Sequence, residues 1–372
     1  MAMSKKSYTM QGLASKQELD VFHLIFAPTF ACNLKCKHCY LPNRHAEHLP
    51  IDTAMKLVDD WAKIVLKEKG KYNGIFHIKG GEPFVVPYFW ELVDKVVATQ
   101  SLLLMLTTNG TFCDEETIAK LIHVNEKLDK NMSIIVSLDG ATDETNAKLR
   151  GEGNFEKTLK FMKKIADAGI YFFINCVLHK GNLAEISQFI ELAKSYNATQ
   201  VNFLNFVPHE NSVNIKDWQE TQLAIYEAMA NVYLNGDNQT KRMLTGSLPE
   251  IITKEKDGSI AISDECVAAY RGLLYVLPNG NVCTCPNVTF AESVLGNIKA
   301  NSLPEIFENI KKLHDGLKLF SGQFLCSGER KLYIDTKDNI RLANLKILQE
   351  TLAKSLQSNE QEKFSYCFNR NW

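Results

Sequence analysis

"APTFACNLKCKHCYLPNRH", residues 27–45, places Cys32, Cys36 and Cys39 within eight positions, spaced C-x3-C-x2-C. It follows the apolar run "VFHLIFAP", which reads as a strand. Three cysteines are an odd ligand set. A structural zinc site takes four ligands, for which His38 or His45 could serve as the fourth, and a disulfide takes two. A cubane iron–sulfur cluster is held by cysteine thiolates, and three of them leave one iron open. The tight spacing suits a loop wrapped round a bulky cluster.

The chain around this loop is 372 residues long, which suggests two domains. Its 45% hydrophobic and 23% charged residues describe a globular protein with a sizeable core. A net charge of -1 gives no basis for binding a nucleic-acid backbone. No stretch has the apolar length of a membrane span, and the polar first twenty residues lack a signal-peptide core. No nucleic-acid or membrane partner and a cytoplasmic location are therefore expected. Ten cysteines without a secretion signal point to metal or redox chemistry. Cys113 and Cys176 stand alone in or beside apolar runs and read as small buried hydrophobes.

From residue 21 to about 235, short apolar runs alternate with amphipathic stretches in six β-α units. The helix "DTAMKLVDDWAKIVLKEKG" takes Asp52 as its expected N-cap. The last helix of the series is expected around "WQETQLAIYEAMANVYL". The pattern predicts an α/β fold, a partial (β/α)6 TIM-like barrel, with its chemistry on the loops after the strands. The polar stretch 236–264 reads as a linker with a short helix, and residues 1–20 as a tail. After Cys266 the rhythm stops. "YRGLLYVLPNGNVCTC" predicts a hairpin turning at Asn279-Gly280, so 265–372 is expected to form a smaller α+β domain.

On these residues the chain resembles the radical S-adenosylmethionine (SAM) superfamily. Further motifs recur in the family's order: "KGGEP" after the second strand, "TTNG" after the third, "VSLDG" after the fourth, then Arg150. The resemblance implies that SAM binds the open iron and is reductively cleaved to a 5′-deoxyadenosyl radical that abstracts a substrate hydrogen. It implies that Gly80, Gly81, Glu82 and Pro83 receive the SAM amino group, the glycines allowing close approach. Thr108 and Asn109 would line the SAM pocket, Ser137 and Asp139 would approach the ribose or methionine moiety, and Arg150 the SAM carboxylate. His38 stands where relatives place an aromatic residue against the adenine, with Asn175 and Leu204 in the adenosine pocket.

Cys266, Gly280 and Cys285 resemble the start of a SPASM or twitch extension, which carries auxiliary clusters. The dense cysteine group of the full pattern is missing; Cys326 and Cys367 remain. That suits one auxiliary [4Fe–4S] cluster on Cys266, Cys285, Cys326 and Cys367, with Cys283 able to replace one of them. Pro286 stands where some relatives that oxidise serine or cysteine have an Asp, which counts against close identity with the anaerobic sulfatase-maturing enzymes. The implied function is oxidative modification of a precursor peptide or protein side chain, crosslink formation above all, with flavodoxin or ferredoxin as electron donor. The alternatives are a small-molecule dehydrogenase of the twitch type and a non-enzymatic metal-binding protein.

Overall fold

The computed structural model describes residues 22–39, 41, 47–68, 74–205, parts of 224–244, 251–254, 260–262, 273–283, 294–308 and 364–365. Strands β1 (Phe22–Phe26), β2 (Gly74–Ile78), β3 (Leu102–Thr108), β4 (Ser133–Ser137), β5 (Tyr171–Leu178) and β6 (Gln200–Asn205) pair in sequence order, all parallel. Each step is bridged by helix: α1 (Ile51–Glu68), α2 (Phe89–Ala98), α3 (Glu115–Lys127), α4 (Asp143–Arg150) with α5 (Phe155–Asp167), and α6 (Ile186–Ser195). This is the expected open partial barrel.

Two-residue alternation sorts each strand into two faces. Leu24, Phe26, Phe76, Ile78, Leu104, Leu106, Ile134, Val136, Phe172 and Ile174 share one core with the helix residues Trp61, Leu92, Leu121 and Phe161. Burying these aliphatic and aromatic side chains fully is worth about 1.5–3 kcal/mol each, which holds the helices against the sheet. Cys176 lies in this core and Cys113 packs against it, both as expected. The inner face carries the intervening residues and is far more polar, with His23, His77, Lys79, Thr107, Ser137, Asn175 and Asn202.

Two local expectations change. Asp52 lies inside the first turn of α1 rather than capping it, and Ala54 N–H bonds the Pro50 carbonyl at 3.0 Å. Helix α4 was not anticipated: Thr142 caps it, accepting from Thr145 N–H at 3.2 Å, and Gly151 ends it at φ +86°. The helix around 217–234 falls largely outside the described residues.

Stretch 236–264, expected as a linker with a short helix, holds helix α7 (Asn238–Leu244) and strands β7 (Ile251–Lys254) and β8 (Ile260–Ile262). These strands pair antiparallel, and β12 (Phe364–Ser365) adds to β7. The Ile-Ile-Thr and Ile-Ala-Ile triplets explain it, because β-branched side chains favour the pleated strand despite polar neighbours. The hairpin forms where expected, from β9 (Leu273–Val276) and β10 (Asn281–Cys283), with Gly280 at φ +89°. Its strand β9 pairs in parallel with β1, and β11 (Gly296–Asn297) extends the hairpin. The result is a nine-stranded sheet in the order β11-β10-β9-β1-β2-β3-β4-β5-β6.

Candidate active site

The loop after β1 is tied on three sides to loops that follow neighbouring strands. From β2, Gly81 N–H donates to the Thr29 carbonyl and Glu82 N–H to the Ala31 carbonyl, each at 2.9 Å. A Cβ on Gly81 would stand 1.9 Å from the Ala31 oxygen, and one on Gly80 would stand 2.4 Å from the Thr29 oxygen. The two glycines therefore admit the backbone of the cysteine loop itself, a close approach within the protein. From β3, Asn109 Nδ2 donates to Asn33 Oδ1, and Asn33 Nδ2 to Thr111 Oγ1, both at 2.8 Å. From α4, the Leu149 carbonyl accepts from Lys37 N–H at 2.8 Å.

A buried ion-pair cluster adds to this last tie. Asp139 is fully buried; its Oδ1 accepts from Val177 N–H at 2.7 Å, and Oδ2 stands 2.6 Å from Arg150 Nε and 3.3 Å from His38 Nε2. Burial would raise the Asp139 pKa, but Arg150, His38 and the Val177 N–H outweigh it and hold the carboxyl below its usual range. Burial pulls the Arg150 pKa down, and the charges of Asp139 and Cys36 more than restore it. The arginine is thus within electrostatic reach of the second thiol.

Glu82 lies in the interior. Its carboxylate accepts from Thr108 Oγ1 and Asn109 N–H at 2.8 Å and from Phe84 N–H at 3.4 Å. Burial pushes its pKa up to about 7 despite these donors. Raising the pH from 4.5 through 7 removes this proton from the unfolded chain before the folded one, so stability falls across that window. Glu82→Gln is expected to abolish this loss, which is on the order of 3 kcal/mol up to about pH 8. Denaturation midpoints of both proteins across that range check it; parallel curves would remove the charge from Glu82.

The remaining expected residues divide between this cluster and the inner face. Pro83 is buried and opens a short 3-10 turn that Glu82 caps. Asn175 on β5 accepts from Asn202 Nδ2 at 2.9 Å, with Ser137 beside it in register on β4 and Leu204 on β6. Cys283 is fully buried beside Ile25, Ala27, Leu273, Tyr275 and Leu277. Cys266, Cys285, Cys326 and Cys367 lie outside the described residues. Sequence reading missed Asn33, which clamps two loops, and His77, which is wholly buried on the inner face. The alternation Ile75-His77-Lys79 in "GIFHIKG" was the signal for the histidine.

Cys32, Cys36 and Cys39 are partly exposed. Burial pushes the Cys32 thiol up against a hydrogen bond from Leu34 N–H, with Glu82, Cys36 and Cys39 adding to the rise. Its sulfur accepts from Leu34 N–H at 3.4 Å and lies 3.8 Å from Asn109 Nδ2. Among the described residues no three His, Cys, Asp or Glu side chains are gathered as a single-ion site. Three thiols on one rim, with N–H donors turned on the first sulfur, fit a cluster that spreads its ligands over several irons.

The Radical SAM superfamily pattern matches residues 26–193, and SPASM, described as an iron-sulfur cluster-binding domain, matches 266–332. The chain carries a radical SAM domain followed by a SPASM domain. It is 28% identical over 291 residues to the mycofactocin maturase MftC of Mycobacterium tuberculosis, covering 76% of this chain and 68% of that protein. It is 28% identical over 309 residues to an AdoMet-dependent heme synthase of Methanosarcina barkeri, covering 77% of this chain and 83% of that one. The structure of Streptococcus suis SuiB bound to its precursor peptide SuiA superimposes with a TM-score of 0.53 at 19% identity, covering 78% of this chain and 65% of that one, which shows a shared fold. This radical SAM enzyme uses S-adenosylmethionine and iron–sulfur clusters. Among the described residues no helix is long and apolar enough to cross a membrane.

Proposed function

We propose that this radical SAM enzyme oxidatively modifies a side chain of a ribosomally made precursor peptide. The observation that carries the reading is the convergence of three thiols, the Gly-Gly-Glu turn and the Asp139–Arg150 pair on one rim above a polar inner face. SAM and its cluster, when bound, supply a hydrogen-abstracting carbon radical on one-electron reduction. Cys32, Cys36 and Cys39 would hold that cluster. The protein's own part is to fix the loop, shield the buried charges and orient the substrate.

Support for a peptide comes from the likeness to a maturase and the fold shared with SuiB, a structure of which is bound to its precursor peptide. Identity of the same degree to a heme synthase favours a second reading, oxidation of a small molecule. Residues 21–235 would form the barrel domain and 265–372 the auxiliary one. Cys266, Cys285, Cys326 and Cys367 would hold one auxiliary [4Fe–4S] cluster; the apolar burial of Cys283 favours Cys285 over it. A flavodoxin or ferredoxin in the cytoplasm would supply the electron.

Iron per chain after anaerobic reconstitution tests the cluster assignment. About eight irons are expected, falling to about four in a Cys32/Cys36/Cys39→Ala variant. About four falling to none would remove the auxiliary cluster, and zinc in place of iron would return the chain to a structural role. Cys36→Ala is expected to bring 5′-deoxyadenosine formation to background; retained formation would refute the thiol's assignment. Incubation with candidate peptides and porphyrins, followed by mass spectrometry, separates the two substrate classes.

A further inference from the structure

The inner face carries a hydrogen-bonded chain that the cluster and SAM residues do not use. His23 Nε2 stands 3.1 Å from His77 Nδ1, and His77 Nε2 stands 2.7 Å from Thr107 Oγ1. The register explains how they meet. His23 pairs with Ile75, two residues before His77; His77 pairs with Met105, two residues before Thr107. The three side chains therefore climb diagonally across β1, β2 and β3, rising about 13 Å along the strand direction. Ser137 occupies the next diagonal position, two residues beyond Ile135, the partner of Thr107.

His23 and Thr107 are partly exposed, whereas His77 between them is fully buried with both ring nitrogens engaged. Burial, with His23 and Lys79 adding, keeps His77 neutral by holding its pKa well below the ordinary range. A neutral imidazole has one donor and one acceptor nitrogen, so two proton arrangements satisfy the chain. In one, Thr107 donates to His77 Nε2 and His77 Nδ1–H donates to His23. In the other, His23 Nε2–H donates to His77 Nδ1 and His77 Nε2–H donates to Thr107. Conversion of the first into the second takes one proton up at Thr107 and releases one from His23.

We propose that His23, His77 and Thr107 form a proton relay joining the catalytic rim to the opposite end of the barrel. The task assigned to it rests on the oxidative reading above. Two hydrogens leave the substrate: one as an atom, which SAM chemistry would take, the other as an electron and a proton. The auxiliary cluster that Cys266, Cys285, Cys326 and Cys367 would hold would accept the electron. The proton passes to Thr107 Oγ1, whose own proton moves to His77 Nε2; the His77 Nδ1 proton moves to His23 Nε2, and His23 Nδ1–H is lost to water. Atoms and charge balance, and no side chain keeps a net proton. In this scheme Thr107 takes the substrate's proton directly, and His77 and His23 act through it.

The test is exchange of the His77 ring N–H with D2O, followed by NMR in reconstituted full-length protein labelled uniformly with 15N, without SAM. The expected result is exchange at least tenfold faster than the backbone amides of Phe76 and Ile78, slowing at least tenfold in His23→Phe. His23→Gln keeps a hydrogen-bonding group of polar character but cannot pass a proton through a ring, so it is expected to slow exchange similarly. A His77 N–H as slow as those amides in the wild type, or unaffected exchange in both variants, would overturn the relay. Failure of the oxidative reading is seen separately, as absence of 5′-deoxyadenosine and of oxidised product from wild-type protein supplied with SAM and reductant.

Discussion

Gly81→Ala is expected to leave the chain unable to load the cluster at its front cysteines. The added Cβ would sit 1.9 Å from the Ala31 oxygen, 2.5 Å from its carbonyl carbon and 2.6 Å from the Phe30 oxygen. All three are backbone atoms, so no rotamer change relieves the clash. One of the two loops must move, and the bonds from Gly81 to Thr29 and from Glu82 to Ala31 would be lost with it. Ala31 directly precedes Cys32, so the displacement reaches the first thiol. Reconstituted iron is expected to fall from about eight to about four per chain, as in the triple cysteine variant. Full iron content with normal 5′-deoxyadenosine formation would show that the loops can part without harm.

Asp139→Asn is expected to cost about 3–5 kcal/mol of stability, because it leaves the Arg150 guanidinium, only 10% exposed, without its charged partner. The amide keeps the shape of the side chain and removes the charge. Denaturant midpoints at fixed pH measure the loss. Asp139→Asn combined with Arg150→Met removes both charges and is expected to recover much of it, since a buried pair replaced by apolar groups is often near neutral. SAM affinity is expected to be weaker in the double variant than in Asp139→Asn, because only the double variant lacks the Arg150 guanidinium. A double variant no more stable than Asp139→Asn would point to a loss of packing rather than of charge.

The six parallel strands and the placing of each motif were legible because period-two and helical patterns are local. The turn at Asn279-Gly280 was legible for the same reason. The reach of that hairpin was not: nothing in "GLLYVL" indicates that its partner is β1, since register between distant strands is set by packing. Glycines 80 and 81 were seen as an opening for a ligand, and the contact that requires them is a backbone far from them in sequence. The Asp139–Arg150–His38 cluster was read as three separate SAM contacts for a similar reason. Its members meet only once the loop after β4 and helix α4 fold back over the cysteines.

The pairing of β9 with β1 also sets an order of events during synthesis. His23 aligns with Leu273, so the strand that carries the cysteine loop finds one of its two neighbours only after some 250 further residues have been made. Closing so long a loop is slow, and contacts of high sequence separation retard folding. While the chain grows, β1 presents an open edge on that side, a template for pairing with other chains. Metal loading at Cys32, Cys36 and Cys39 is therefore expected to be a late event, following release of the C-terminal half from the ribosome. A nascent chain arrested before residue 273 would be a client for chaperones and a poor acceptor for iron.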